Sequence, residues 1–83
     1  MAKQIILYPR LRRYLQGVKT QNKLKYTQIA DSMNLHVNVI QSWFWGTRFP
    51  RASNILPLSI AISKDEEEAK IIAFKLLEIA SDE

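Results

Sequence analysis

Cysteine is missing from all 83 residues. That rules out disulfides, cysteine-ligated zinc and a thiol nucleophile, and it suits a reducing cytoplasm. The single histidine, His36, cannot supply a histidine-based zinc set and is expected at the surface or as a helix cap. Glycine occurs only twice, so no Gly-rich phosphate-cradling loop can be drawn. No nucleophile–base pair stands out either. Long apolar runs are also missing. The longest, Ile5 to Tyr8 and Ile71 to Phe74, fall far short of the roughly 20 residues of a membrane span, and Met1-Ala-Lys leads into too short a run for a secretory signal. An enzyme is therefore not expected, and no cofactor, metal or small-molecule ligand is in view.

What is present is charge, unevenly placed. Residues 1–51 carry nine Lys and Arg against one acid, Asp31, a surplus of +8, whereas residues 52–83 carry three Lys against seven acids, a deficit of −4. A basic front and an acidic back suit a small single domain with one face turned to a polyanion. Acids that solvate and cap a C-terminal helix would leave the same asymmetry.

From Pro9 onward the apolar spacing along the chain is helical. Pro9 pre-sets a first helical turn, and Leu11, Leu15 and Val18 recur at i, i+4 and i+7. Thr20-Gln-Asn-Lys reads as a stop. A second helix begins near Tyr26, with Ile29, Ala30 and Met33 inward and Asn34 as a left-handed cap. After a turn of about three residues a third helix is expected over 37–45, ending at Gly46. Pro50 keeps Phe49 out of a helix. Ser53 is then the expected cap of a fourth helix whose Ile55, Leu56, Leu58, Ile60, Ala61 and Ile62 are mostly buried, with Pro57 in or just past its first turn. Ser63-Lys-Asp-Glu66 fits a capping box for a last helix over about 65–80. Its expected inner stripe is Ala69, Ile72, Ala73, Leu76 and Ala80, which leaves Ile71 and Phe74 projecting away. Only Gln4–Tyr8 alternates as a strand would. The expected fold is all-α, a compact bundle of about five helices in one domain, with an N-terminal arm over 1–8, a four-helix core over 9–63 and a C-terminal helix over 64–83.

Three neighbouring rings, Trp43, Phe44 and Trp45, decide the meaning of the third helix. At about 100° per residue, Ile40, Trp43 and Phe44 share one arc with Val37 at its edge. Asn38, Gln41, Ser42 and Trp45 lie opposite. Trp43 and Phe44 are thus expected in the core, while Trp45 shares a face with two amides and a hydroxyl. That is a face fit to read hydrogen-bonding edges, or simply a solvated one. Trp45 has two open readings: its indole N–H can meet a phosphate, or its ring can cluster with Phe49.

A short helix, a three-residue turn and a second helix with an amide-rich outer face describe a helix-turn-helix. The run Ile29-Ala30-Asp31-Ser32-Met33-Asn34-Leu35, then Ile40, Trp43-Phe44-Trp45-Gly46 and Arg48-Phe49-Pro50, resembles the lambda-repressor-like (Cro/repressor, XRE) family. The family's pattern is roughly L-A-x-x-L-G-V-S-x-x-x-I-S-x-W-E-x-G-x-R-x-P. The spacing matches without a gap from Leu24 to Pro50, and the likeness spans about residues 9–63. Several departures from the pattern bear on the contacts. Lys25-Tyr26 stands for the usual Thr-Gln, Asn34 for the turn Gly, His36 for the capping Ser, and Phe44 for the Glu after the Trp.

The resemblance implies a sequence-specific double-stranded DNA-binding regulator, a repressor in type, that lays its third helix in the major groove. Base reading then falls to Val37, Asn38, Gln41 and Ser42. Phosphate contacts fall to Lys25, Tyr26, Thr27, Trp45, Thr47 and Arg48, with Lys23 and Arg51 as weaker candidates. A homodimer on a roughly palindromic operator is expected, in the cytoplasm of a bacterial or phage-type system. Its contact is expected on Ile71, Phe74 and Glu78, or through Ile5-Ile6-Leu7 paired as a strand; that N-terminal run could equally cover its own core. The alternative is a protein-interaction adaptor or antitoxin-like partner binder on the same fold, favoured by the surplus apolar residues of the last helix.

Overall fold

Proline at the first position of α1 (Pro9–Gln21) has no backbone N–H to leave unsatisfied, and the helix starts there. A computed structural model describes residues 5–82. After α1 come α2 (Tyr26–Met33), α3 (Val37–Phe44), α4 (Ala52–Ile62) and α5 (Glu66–Asp82), with no strand among the described residues. The Cα radius of gyration is 11.9 Å, close to the roughly 12 Å of a compact chain of this length. Among the described residues, no helix is long and apolar enough to cross a membrane.

One core joins the five helices. Leu11, Leu15 and Val18 of α1 meet Ile29 and Ala30 of α2 and Ile40, Trp43 and Phe44 of α3. Ile55, Leu58 and Ile62 of α4 and Ile72, Leu76 and Ile79 of α5 complete it. α1 packs on α3 and α5, and α4 packs on α2 and α5. At the far end of α1, the Asn22 side-chain amide donates to the Ile62 carbonyl at 2.8 Å and to Glu68 Oε1 at 2.7 Å. One side chain thus fastens three helices. Ser59, wholly buried, donates its hydroxyl to the Ile55 carbonyl at 2.7 Å, so no orphan polar group remains there.

Two turns set the placement of α3. Asn34 takes the left-handed conformation (φ 56°, ψ 43°), and the Leu35 N–H returns to the Ala30 carbonyl at 3.0 Å, closing α2 as expected of Asn after a helix. Past α3, Gly46 has φ +77°. A Cβ built there would stand 2.8 Å from the Tyr8 carbonyl oxygen and 3.0 Å from Arg12 Cβ, so glycine is required on both counts. The Gly46 carbonyl accepts from Leu7 N–H and Tyr8 N–H, each at 2.9 Å. The segment entering α1 is therefore pinned across the end of α3.

Several expectations fail in detail. α4 starts at Ala52, not after Ser53; Arg51, extended behind Pro50, is its cap, and its carbonyl accepts from Asn54 N–H at 2.8 Å. Pro57 is therefore the sixth residue of α4 and lies inside the helix, exposed, where water can satisfy the carbonyl it leaves free. Leu56 and Ile60 face solvent, 58% and 60% exposed. At the start of α5 the capping frame shifts by two residues. Glu68 N–H donates to Asp65 Oδ1 at 2.8 Å and the Glu68 carboxylate accepts from Lys64 N–H at 2.9 Å, while Ser63 Oγ closes α4 through the Ile60 carbonyl. In α5, Ile79 and not Ala80 completes the buried stripe. Ile5, Ile6 and Leu7 are exposed and form no strand, and Gln4 and the residues before it lie outside the described residues.

Candidate nucleic-acid interface

The three rings divide as the helical wheel requires. Trp43 and Phe44 are buried, and Trp45 is half-buried on the other side. Asn38 is exposed and Gln41 and Ser42 are half-buried on the outer surface of α3, whereas Val37 is half-buried and packs against the core. The start of α3 is capped by His36, whose Nδ1 accepts from Asn38 N–H at 3.1 Å. Imidazole thus does the work usual for a serine or threonine oxygen.

Two of the hydroxyls assigned to outside contacts already have internal acceptors. Ser42 Oγ donates to the Val39 carbonyl at 2.6 Å, and Thr47 Oγ1 donates to the Ser42 carbonyl at 3.1 Å. Thr47 N–H and Arg48 N–H also converge on the Ser42 carbonyl, at 3.0 and 3.2 Å. This bonding folds the loop after α3 back onto its last turn and sets Arg48, exposed, beside the outer face. Ser42 and Thr47 keep lone pairs outward but no proton to give. They are builders of the surface more than readers of it.

Tyr26, at the first position of α2, stands edge-on to Phe44 at 5.5 Å and to Trp45 at 6.4 Å between ring centroids. Phe49, by contrast, pairs with Tyr8 at 5.4 Å. Of the two readings open for Trp45, the cluster with Phe49 does not form: Trp45 meets Tyr26 instead, and the turn at Gly46 carries Phe49 toward the N-terminal segment. Gln16 Nε2 donates both to Tyr26 Oη and to the Phe44 carbonyl, each at 3.0 Å, tying α1 to the adjoining ends of α2 and α3. The Tyr26 oxygen thus accepts from Gln16, and its own proton remains to be donated. Lys19 Nζ lies 4.8 Å from the Tyr26 ring centroid, a cation over an aromatic face. Lys25 and Thr27 are exposed at the start of α2, where Lys25 N–H donates to Gln28 Oε1 at 3.2 Å.

Two cations on α1 escaped sequence reading. Arg12 is exposed, and its Cβ adjoins Gly46; Lys19 lies over Tyr26. Arg12, Gln16 and Lys19 sit at i, i+4 and i+7, a polar stripe beside the buried Leu11-Leu15-Val18 stripe, and that spacing was the available signal. Of the weaker candidates, Lys23 (φ 53°) and Arg51 are exposed in the turns before α2 and α4. Arg10 points elsewhere, pairing with Asp82 and standing 4.0 Å from Glu78. No set of three His, Asp or Glu side chains that could hold a metal forms among the described residues. A surface cleft of about 490 Å³ lies away from α3, between α1 and α5, lined in part by Arg13, Tyr14, Gln21 and Lys75. Burial pushes the Tyr14 phenol above its ordinary pKa, and the nearby Glu68 carboxylate adds to the rise.

Compared with protein-family models, curated proteins and solved structures, the chain finds no match in any of the three.

Proposed function

We propose that this chain is a sequence-specific double-stranded DNA-binding domain of helix-turn-helix, lambda-repressor-like type, acting as a transcriptional regulator. The observation that carries the reading is α3 itself. It follows α2 after a three-residue turn closed by left-handed Asn34, turns Trp43 and Phe44 into the core, and leaves Asn38, Gln41 and Trp45 outward. Asn and Gln make two-pronged bonds to adenine in the major groove, and Val37 can meet a thymine methyl. Arg12 beside Gly46, Lys19 over Tyr26, and the exposed Lys25 and Arg48 would hold the flanking phosphates. Bound in this way, the domain would act by blocking or contacting the transcription machinery in the cytoplasm, without catalysis.

The test is selection from a random duplex library, followed by sequencing, for the natural chain and for Asn38→Ala and Gln41→Ala. Each variant is expected to lose about 1–3 kcal/mol at one or two base pairs, chiefly A·T. One consensus shared by all three proteins would overturn the base-reading face. No enrichment of any duplex at low salt would overturn DNA binding and favour the second reading, a protein-binding adaptor, which rests on the exposed Ile71, Phe74 and Leu77 of α5.

A further inference from the structure

Gly17 sits in the middle of α1 with no demand from the fold to explain it. Glycine weakens a helix relative to alanine, because it has more backbone freedom to lose. Its φ is not positive, and a Cβ built there meets no atom within 4 Å. Neither backbone conformation nor packing therefore requires it. The missing side chain instead leaves open the cleft of about 490 Å³ between α1 and α5. A longer side chain at this position would lean back toward Arg13 and Tyr14, into that space.

α1 and α5 run antiparallel, tied by Arg10 to Asp82 at one end and by Asn22 to Glu68 at the other. That register sets Lys75 about level with Gly17 and about one turn from Arg13. The floor of the cleft is apolar, from Val18 and Ile79, and the half-buried Tyr14 ring forms a wall. No carboxylate lines it among the described residues. Arg10, at its end, is held by Asp82. Arg13 stands in no ion pair or hydrogen bond among the described residues, and Tyr14 Oη stands in no hydrogen bond. Lys75 Nζ lies 3.3 Å from Glu78 Oε1 and keeps further N–H donors to give. From this arrangement we infer that the cleft is a binding site for a small aromatic carboxylate, its ring on Gly17 beside Tyr14 and its carboxylate between Arg13 and Lys75. A concave site of this size, with an apolar floor and a few convergent polar groups, is the usual form of a small-ligand pocket. With no Cβ at Gly17, a flat ring can lie on the backbone of α1. The Arg13 guanidinium offers a carboxylate two parallel N–H bonds. The Tyr14 phenol, which keeps its proton at neutral pH, can donate another.

One side of such a ligand stays in water, so binding is expected to be weak, with Kd between about 0.1 mM and about 1 mM. The inference stands apart from DNA binding, and its test uses no DNA. Cinnamate is titrated into the full chain and followed through the backbone amide resonances. Saturable shifts are expected around Gly17, Gln21 and Lys75. Neutral cinnamamide has the same ring and should bind at least about tenfold more weakly. Arg13→Gln removes an unpaired guanidinium from an exposed position and is expected to weaken cinnamate binding roughly tenfold, with an unchanged melting curve. Gly17→Leu fills the cleft and is expected to abolish saturable binding while melting no lower than the natural chain, since leucine favours a helix over glycine. Lys70→Gln, on α5 but outside the cleft, should bind as the natural chain does. No saturation up to about 10 mM, shifts centred on α3, or equal affinity for cinnamate and cinnamamide would each overturn the site. So would undiminished binding by Arg13→Gln or by Gly17→Leu, or a loss on Lys70→Gln equal to that on Arg13→Gln.

Discussion

Trp43 and Trp45 differ by two positions and by everything else. Trp43 is 3% exposed within the core, so Trp43→Ala removes a buried indole and is expected to cost roughly 3–5 kcal/mol. For a domain this small that means unfolding or a severely loosened state. Trp45 rests on Tyr26 from outside. Trp45→Ala is expected to stay folded, losing about 1 kcal/mol of ring contact, and to bind duplex DNA less well. Thermal melts of the two variants decide this; equal losses of stability would place both rings in the core. Gly46 makes the same kind of argument in backbone terms. Gly46→Ala forces a side chain into φ +77° and sets its Cβ 2.8 Å from the Tyr8 oxygen. That substitution is expected to cost at least about 1–2 kcal/mol, read as a lowered urea midpoint. Because Gly46 also accepts both N–H groups of the entering segment, the damage should reach the start of α1.

Arg12 and Arg13 are neighbours on α1 that point about 100° apart and serve different surfaces. Arg12 adjoins the end of α3, and Arg13 lines the cleft against α5. Arg48→Ala and Arg12→Ala are each expected to weaken binding to all duplexes alike and to lower the salt slope by about one unit, while Arg13→Ala leaves the slope unchanged. A change in base preference on Arg48→Ala would make that residue a reader of bases. Helices with strong contrast between faces were legible in the sequence. The Leu11-Leu15-Val18 stripe and the split of Ile40, Trp43 and Phe44 from Asn38 and Gln41 hold in the structure. α4 was not legible in this way, because apolar residues surround it and no polar face marks the outside; Leu56 and Ile60 read as core and are exposed. The start of α5 offered two overlapping frames, Ser63 to Glu66 and Asp65 to Glu68, and only the tertiary demand on Glu68 from Asn22 separates them. Arg12 and Lys19 escaped notice because their proximity to Gly46 and Tyr26 depends on how α1 crosses α3, which spacing alone does not encode.

Across the whole molecule, charge and titration are coupled through α1 and α5. Arg10 at the start of α1 pairs with Asp82 at the end of α5, which draws one cation of the basic half to the acidic half. Midway along the same seam, Tyr14 keeps its proton more tightly folded than unfolded. As pH rises through the ordinary phenol value of about 10, the unfolded chain releases that proton first. It then binds fewer protons than the folded chain, and stability falls with increasing pH. Below that value Tyr14 makes no such contribution. Tyr14→Phe keeps the ring and removes the proton, so its stability relative to the natural chain should improve between about pH 8 and about pH 10.5. Urea midpoints at the two pH values measure it, and a constant difference would mean that Tyr14 ionises alike in both states.

The placement of the two indoles also makes the chain its own optical instrument. Light absorbed by tryptophan is returned from two sites at once, one sealed among the helices and one open on the outer side of α3. A neutral quencher such as acrylamide can collide with Trp45 in the folded chain but reaches Trp43 only when the helices part. A ligand that covers α3 should therefore shield the quenchable fraction of the emission and leave the rest unchanged, whereas loosening of the fold should enlarge that fraction. Occupancy and unfolding can be told apart in one cuvette, with no dye attached.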